Sequence, residues 1–209
     1  MKKKTLSIAL VLALCAIAVT GMSLAYFQDS DEASNTFTVG SVDIKLDEAP
    51  VVKGEDNKWT ATQADRVQEN EYALVYPGAV LPKDPTVWNI GKNDAWIRVN
   101  VTFDSLAAWR AILGQEASLM TLADAVPAGW TAVNAAGTVS GDTITYSYYY
   151  DTKLAVNANT GALFTRITVP SGATSAQMEE LGNFNISVTA DAIQAEGFTR
   201  ADEAFAEFQ

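Results

Sequence analysis

The chain has 209 residues, with 14 Lys and Arg against 25 Asp and Glu, and carries a formal net charge of −11. It contains no His and one Cys, which excludes a His-based catalytic triad, a zinc site with His ligands, an intrachain disulfide and a thiolate zinc cluster. The negative charge argues against nucleic acid as a partner, because such binding needs a basic surface. The hydrophobic fraction of 48% with 19% charged residues is typical of a globular protein.

The first 25 residues have the pattern of a secretory signal peptide. Three lysines precede an apolar run over residues 6–19, and the small residues Ser23 and Ala25 follow it. A basic start, an apolar centre and small residues at positions −3 and −1 predict cleavage between Ala25 and Tyr26. An uncleaved membrane anchor is the alternative, but the apolar run is shorter than the roughly 20 residues that a spanning helix needs. We therefore expect a secreted protein.

Period-2 alternation of apolar and polar residues is the clearest signal in the rest of the chain. In residues 95–103 the side chains of Ile97, Val99, Val101 and Phe103 fall on one face of the predicted strand. The same alternation predicts further strands over residues 142–151, 163–169 and 184–192.

The first strand region covers residues 35–46 and changes its alternation in the middle. Phe37 and Val39 share one parity, whereas the apolar residues after Ser41 share the other. A one-residue shift would turn one apolar set towards water. The change therefore predicts a β-bulge or bend at Gly40 and Ser41.

The remaining predicted elements are one hairpin, one polar insertion and a few short helices. Residues 86–90 and 95–103 are joined by a Gly-Lys-Asn-Asp segment, which predicts a hairpin. Residues 47–70 are polar and predict a long surface insertion. Helices are predicted over residues 106–115, where Asp104 and Ser105 can cap the first turn, and over residues 175–181 and 199–208. Many short strands with few helices predict an all-β fold, an antiparallel β-sandwich.

Two N-terminal motifs resemble those of the TasA/camelysin family. Residues 25–30 read AYFQDS, and residues 35–44 read NTFTVGSVDI. The family consists of secreted proteins whose special signal peptide is read by a dedicated, ER-type signal peptidase. The resemblance implies a jelly-roll-like sandwich over residues 35–209. It also implies biofilm-matrix or cell-surface fibres in which an N-terminal segment of one subunit adds a strand to the next subunit.

Residues 26–34, the predicted donor segment, have the composition that such an exchange requires. An edge strand offers unpaired backbone groups, and an extended segment can pair with them. Tyr26 and Phe27 would be apolar anchors of the donor segment, and the acidic residues after them would keep the free segment soluble. Phe37 and Val39 would take part if the donor segment continues into the first strand. A first strand that pairs within its own subunit is the alternative for these two residues.

Two other functions remain open at this point. The family also carries the name of a metalloendopeptidase, but without His we expect no zinc site, no catalytic residues and no cofactor. A monomeric extracellular module that binds polysaccharide or another surface is the second alternative. Alternation places Trp96 and Tyr149 opposite the apolar faces of their strands, where aromatic rings could stack on sugars. For these two residues, the alternatives are packing against the neighbouring strand, burial under a loop, or a contact with another subunit.

The expected partners follow from export and assembly. They are other copies of the same chain, an accessory fibre protein and the signal peptidase, with no nucleic acid. Cleavage would also remove Cys15, the single cysteine. A secreted protein without disulfides must depend on core packing and is more typical of a Gram-positive bacterium than of an animal.

Overall fold

A computed structural model describes residues 41–207 of the chain. No helix in this range is long and apolar enough to cross a membrane. Several predictions concern residues outside the described range: the signal peptide over residues 1–25, its cleavage site at Ser23, Ala25 and Tyr26, the donor segment over residues 26–34, the assembly residues Phe27, Phe37 and Val39, and the bend at Gly40.

Short strands and a few short helices make up the described chain. The strands are β1 (Ile44–Asp47), β2 (Val51–Lys53), β3 (Trp59–Ala61), β4 (Val80–Pro82), β5 (Thr86–Asn89), β6 (Ala95–Phe103), β7 (Trp130–Ala132), β8 (Thr138–Ser140), β9 (Thr143–Tyr150), β10 (Asn159–Ala162), β11 (Arg166–Thr168) and β12 (Ile186–Gln194). The helices are α1 (Leu106–Leu113), α2 (Ser175–Leu181) and α3 (Ala201–Ala206), with a 3-10 helix at Leu119–Leu122.

All strand pairings in this part of the chain are antiparallel. The largest sheet has the order β12-β6-β9-β7, and β8 also pairs with β9. A second sheet has the order β1-β5-β10, and two smaller sheets join β4 to β11 and β2 to β3. The predicted all-β, antiparallel fold with few helices is confirmed. The jelly-roll arrangement stays a prediction.

The central strands β6 and β9 form the core as their alternation predicts. On β6, the side chains of Ile97, Val99, Val101 and Phe103 are buried. Their neighbours on β9 include Tyr146, which is also buried and contacts Phe103 edge-on. A strand places successive side chains on opposite faces, so apolar residues at every second position bury one face of the sheet.

The predicted hairpin of residues 86–90 with β6 is wrong, because β5 and β6 belong to different sheets. Asn89, at the end of β5, explains the difference. Its side chain is fully buried; its amide nitrogen donates to the carbonyl oxygens of Asn93 and Leu154, and its Oδ1 accepts from the Gly91 N–H. A buried amide must be hydrogen-bonded, and these bonds stabilise a corner that takes the chain from one sheet to the other.

Of the strand predicted over residues 163–169, only Arg166–Thr168 forms a strand, β11. β10 ends at Ala162, and β11 begins at Arg166. Between them, the Asp124 carboxylate accepts hydrogen bonds from the backbone N–H and the hydroxyl of Thr165. Thr165 is exposed, whereas the apolar residues predicted on its face are buried. The predicted face is therefore buried as expected, but the strand is shorter than the alternation predicts.

The cap of α1 differs from the prediction. The Ser105 side chain makes no capping hydrogen bond, and the Asp104 carboxylate accepts from the Asn185 N–H at 2.7 Å. The Ala107 N–H donates instead to Oδ1 of Asp142, at 2.8 Å. The helix is capped by a residue 35 positions away, which local sequence does not reveal. α2 has the predicted bounds and is capped by Thr174 and Gln177.

Candidate functional site: an open sheet edge

β12 is an edge strand of the largest sheet. It pairs with β6 over its whole length, from Ile186 opposite Phe103 to Gln194 opposite Ala95. Within residues 41–207, no strand pairs with its other side. The backbone groups on this side of the nine-residue strand are therefore unpaired, although β1 approaches part of it without pairing.

The pairing pattern shows which backbone groups of β12 point to the free side. The Asn185 carbonyl accepts from the Asp104 N–H, and the Ala195 N–H donates to the Asp94 carbonyl. In an antiparallel pair, every second residue bonds to the partner strand, so the odd-numbered residues bond to β6. The even-numbered residues, Ile186, Val188, Ala190, Ala192 and Gln194, then direct their N–H and C=O groups to the free side.

The apolar side chains of β12 cover the core incompletely. Ile186, Val188, Ala190 and Ala192 contact the core cluster, yet each of them is half-buried. Their partners on β6 are buried to 1% exposure or less. Ile44 and Leu46 on β1 are half-buried as well. The core is therefore open along this edge, and one more strand would bury apolar surface as well as pair backbone groups.

A groove of about 520 Å³ lies at the Ile186 end of β12. Its lining is mixed. The apolar side chains are Tyr72, Leu74, Val75, Leu81, Ile167, Met178, Phe184 and Ile186, and the polar ones are Asn70, Glu71, Lys83, Asn183 and Asn185. Leu74 is 85% exposed and has a φ of 60°, in the left-handed region. A bulky residue rarely adopts this backbone conformation, which is found preferentially at functional sites. We refer to this cavity as the Leu74 groove.

The chain enters its own sheet at the opposite end of β12. The Ser41 carbonyl accepts from the Lys92 N–H, and the Asp43 carbonyl accepts from the Ile90 N–H. Gly91 is needed between them, because a Cβ at this position would lie 2.6 Å from the Asp43 nitrogen and 2.7 Å from the Ser41 oxygen. This corner also leads to Asp94, which bonds to the residue after β12. The Ser41 corner and the Leu74 groove thus lie towards opposite ends of β12.

A network of ion pairs attaches the predicted insertion to β1 and β5. The Arg66 side chain donates to Oδ1 of Asp47 at 2.6 Å and to Oδ2 of Asp84 at 2.8 Å. It also donates to the carbonyl oxygens of both residues and to the Thr86 hydroxyl. Residues 47–70 therefore form more than a surface insertion, because they contain the β2–β3 hairpin and this network.

The Asp47 carboxylate is the most deeply buried charge of this network, with 2% of its side chain exposed. Burial alone would raise the pKa of Asp47, but hydrogen bonds from Arg66, Lys45 and Trp88 outweigh it and lower the pKa below its ordinary value. This carboxylate thus stabilises the fold fully above the unfolded pKa of about 3.9, and the contribution is lost as the pH falls through the lowered pKa.

A second set of contacts fixes the wall of the Leu74 groove. The Lys83 ammonium lies 2.6 Å from Oε1 of Glu48, and both side chains are largely buried. The Asn70 amide donates to the Ala49 carbonyl, and the Tyr72 hydroxyl donates to the Pro82 carbonyl. Burial, together with the nearby acidic charges, raises the pKa of Tyr72 and keeps it a neutral donor. The segment that carries Leu74 is therefore held to the sheets on its N-terminal side.

Arg66→Met is expected to lower the free energy of unfolding by about 2 to 3 kcal/mol. Removal of one partner from a buried ion pair costs about 3 to 5 kcal/mol. We expect less here because Arg66 is partly exposed and Asp47 retains Lys45 and Trp88. Urea unfolding measures the effect, with Arg66→Lys as the control that keeps the charge and loses the two-pronged hydrogen bonding. A loss below about 0.5 kcal/mol would show that the network adds little to stability.

Comparison with known proteins bears on the N-terminal part of the chain. Residues 1–74 match the family described as camelysin metallo-endopeptidase. Over these 74 residues the chain is similar to the camelysin family. The resemblance found in the N-terminal motifs is thereby confirmed. No curated protein and no solved structure matches the chain.

The camelysin match divides the candidate site between two parts of the chain. It includes β1, the β2–β3 hairpin, Arg66 and Leu74. β12 and most of the other residues that line the Leu74 groove lie beyond residue 74. The free edge is thus a feature of the described structure that the family match does not cover.

The name of the camelysin family raises the question of a metal site. Within residues 41–207, no group of three or more His, Cys, Asp or Glu side chains is placed to hold a metal ion. The buried carboxylates Asp47 and Glu48 are bound by Arg66, Lys45 and Lys83. The expectations of no catalytic residues and no cofactor stay predictions.

The aromatic residues considered for sugar binding lie on the predicted sheet face, but a neighbouring helix covers them. Trp96 is 4% exposed, because α3 covers this end of the outer sheet face and packs Ala201, Ala204 and Phe205 against it. Tyr149 stacks on Phe205 with ring centroids 5.5 Å apart. The interpretation of Trp96 as an exposed stacking residue is wrong, because the Trp96 side chain packs beneath α3.

Sequence reasoning missed the Leu74 groove, the edge position of β12 and the role of Arg66. The alternation of β12 was recognised, but whether a strand is central or at an edge depends on distant pairing. One local signal for Arg66 was available, because it is the only Arg within the acidic residues 47–70. Buried acids on the preceding strand would need such a cation.

Proposed function

We propose that this chain is a secreted structural protein that forms extracellular fibres by donor-strand complementation. In this proposal, the N-terminal segment of one copy pairs with β12 of the next copy. The observation that supports it most is the free edge of β12, where unpaired backbone groups and half-buried apolar side chains occur on the same residues. An added strand would pair the backbone groups and bury the apolar side chains at the same time, which is the physical basis of strand addition.

The positions of the chain entry and of the free edge favour a linear polymer. The described chain begins at the Ser41 corner, towards the opposite end of β12 from the Leu74 groove. A contact between different surfaces of two copies leaves one free surface at each end, and it produces filaments when the rotation does not close. This arrangement supports the proposal of head-to-tail addition.

The proposed location is the biofilm matrix or the cell surface, and the similarity of residues 1–74 to the camelysin family is compatible with an extracellular protein. The proposed partners are other copies of the chain, an accessory fibre protein that starts growth, and the signal peptidase during export. No nucleic acid is proposed, given the net charge of −11. The proposed role is structural rather than enzymatic.

Electron microscopy of residues 26–209 beside residues 35–209, at matched concentration, tests the proposal. We expect fibres from the longer chain only, because the shorter chain has lost the donor segment over residues 26–34. Both chains contain every residue of the described fold, so unfolding spectra provide the control for stability.

Globular particles from both chains would contradict the proposal and favour a monomeric binding module. Fibres from both chains would contradict the assignment of residues 26–34 as the donor segment.

A further inference from the structure

We propose that the side chains of Lys83 and Asn70 react with each other to form an isopeptide bond within the chain, with Glu48 as the acid–base group. The proposal concerns a covalent modification and does not depend on fibre formation. Its basis is a cluster in which one buried carboxylate contacts both an amine and a carboxamide. A nucleophile, a base beside it and an electrophile within reach are the groups that such a condensation requires.

The Glu48 carboxylate lies between the two reacting side chains. Its Oε1 is 2.6 Å from Lys83 Nζ, and its Oε2 accepts a hydrogen bond from Asn70 Nδ2 at 3.4 Å. The side chains of Lys83 and Glu48 are 13% and 5% exposed, so little water competes for these contacts. A base that contacts both the nucleophile and the leaving group can move protons from one to the other.

Two backbone groups hold the Asn70 carboxamide in one orientation. Its nitrogen donates to the Ala49 carbonyl oxygen at 2.9 Å, and its Oδ1 accepts from the Val51 N–H at 3.0 Å. When an amine adds to Cγ, negative charge develops on Oδ1, and the Val51 N–H stabilises this charge as the donor of an oxyanion hole does. The same orientation turns the nitrogen, which is the leaving group, towards Glu48.

A further hydrogen bond brings the two chain segments together. The hydroxyl of Tyr72, two residues after Asn70, donates to the carbonyl oxygen of Pro82, the residue before Lys83. Asn70 and Lys83 also line the same cavity, the Leu74 groove. Groups that are held in place in this way react within one molecule, and the entropy cost of bringing them together is already met by folding.

The proposed reaction exchanges one amide for another and needs no oxidant or other co-reactant. Glu48 accepts a proton from the Lys83 ammonium, and the lone pair of the resulting amine forms a bond to Cγ of Asn70. Glu48 then gives its proton to the Asn70 nitrogen and takes a second proton from the attacking nitrogen. The bond between Cγ and the Asn70 nitrogen breaks with its electron pair, and ammonia leaves. Glu48 ends as a neutral carboxylic acid beside the new amide, so no unpaired charge remains buried.

The bond would close a covalent loop over residues 70–83. Residues 41–207 contain no cysteine, so no disulfide can close a loop in this part of the chain. A covalent loop limits the conformations of the unfolded chain and thereby stabilises the folded one, as a disulfide does. The wall of the Leu74 groove would then be attached covalently to the residue that follows β4.

Mass spectrometry of the folded, exported chain tests the proposal. We expect its intact mass to be lower than the mass of its sequence by one molecule of ammonia. In this region trypsin cleaves after Arg66, Lys83 and Lys92, but it does not cleave after an acylated lysine. The linked chain should therefore release one peptide over residues 67–92, lighter by one ammonia, and fragmentation of this peptide should separate no residues between 70 and 83.

Two variants should abolish the bond, and a third should retain it. Lys83→Arg keeps a cation beside Glu48 but has no nucleophilic amine, and Glu48→Gln keeps the shape but has no base. We expect each to reduce the ammonia-depleted product at least about tenfold. Asn183→Ala changes an exposed residue of the same groove and should leave the yield of the linked peptide unchanged. Circular dichroism checks that each variant is folded, and Lys83→Arg provides the test if Glu48→Gln does not fold.

Two results would overturn the inference. The first is release of an unmodified peptide over residues 67–83 from the folded, unchanged chain. The second is a loss of ammonia that persists in Lys83→Arg, because the reaction would then have taken place at another site. Both results are read from monomeric peptides and are independent of whether the chain forms fibres, so failure of this inference and failure of the proposed function are distinguishable.

Discussion

Fibre growth is expected to stop when Ala190 is replaced by Pro, although the subunit should still fold. The pairing register assigns the Ala190 N–H to the free side of β12. Proline removes this donor and places a ring on the edge, which edge strands tolerate and added strands do not. We expect at least a tenfold fall in fibre mass, with a loss of about 1 kcal/mol or less in the free energy of unfolding.

Two matched variants make this expectation specific. Ala190→Ser keeps the N–H and a small side chain, so its fibres should resemble those of the unchanged chain. Thr189→Pro removes a donor that faces β6, because Thr189 lies opposite Asn100 within the sheet, and it should destabilise the subunit by about 2 kcal/mol or more. Sedimentation, electron microscopy and urea unfolding separate the two effects. Normal fibres from Ala190→Pro would contradict the assignment of β12 as the acceptor edge.

Trp109→Ala is expected to have the largest effect on stability, a loss of about 4 kcal/mol. The Trp109 side chain is fully buried on α1, and its ring meets that of Phe184 edge-on with centroids 5.0 Å apart. Truncation would leave a cavity beneath Phe184, which also lines the Leu74 groove. Urea unfolding monitored by circular dichroism measures the loss, and fibre yield should fall with it.

Trp109→Phe is the informative control for this truncation. The indole N–H of Trp109 has no hydrogen-bond partner among the described residues, so phenylalanine removes an unsatisfied donor and retains an aromatic ring. We expect a loss of about 1 kcal/mol, because the smaller ring and the removed donor partly offset each other. A loss below about 1.5 kcal/mol for Trp109→Ala would show that the surrounding helices collapse around the cavity.

The regular part of the fold could be predicted because its cause is local. Ile97, Val99, Val101 and Phe103 alternate with polar residues, and the structure buries these four side chains on one face of β6. α2 was likewise predictable, since Thr174 and Gln177 form a local capping box at its start. Neither result required knowledge of distant contacts.

The features that define the candidate site depend on distant residues. Asn89 turns the chain between two sheets by bonding to Leu154, which lies 65 residues away. α3 buries Trp96, although no residue near Trp96 in sequence indicates a cover. The same dependence makes β12 an edge, because its status follows from which strands pair elsewhere. Sequence periodicity predicts which side chains share one face of a strand, but it does not predict which strands lie beside that strand in the sheet.

The corner at Ser41 has a mechanical consequence for a protein that carries load along a filament. A pull on the chain at Ser41 acts along the axis of β1, which is paired with β5 from Ile44 to Asp47. The hydrogen bonds between these strands lie across the direction of pull and are strained together rather than one after another. Tension would then pass through the Asn89 corner into β6 and, by way of the paired register, into β12. The force needed to unfold a subunit would therefore depend on the β1–β5 hydrogen bonds, which would be loaded in shear, and on the buried Asn89 side chain.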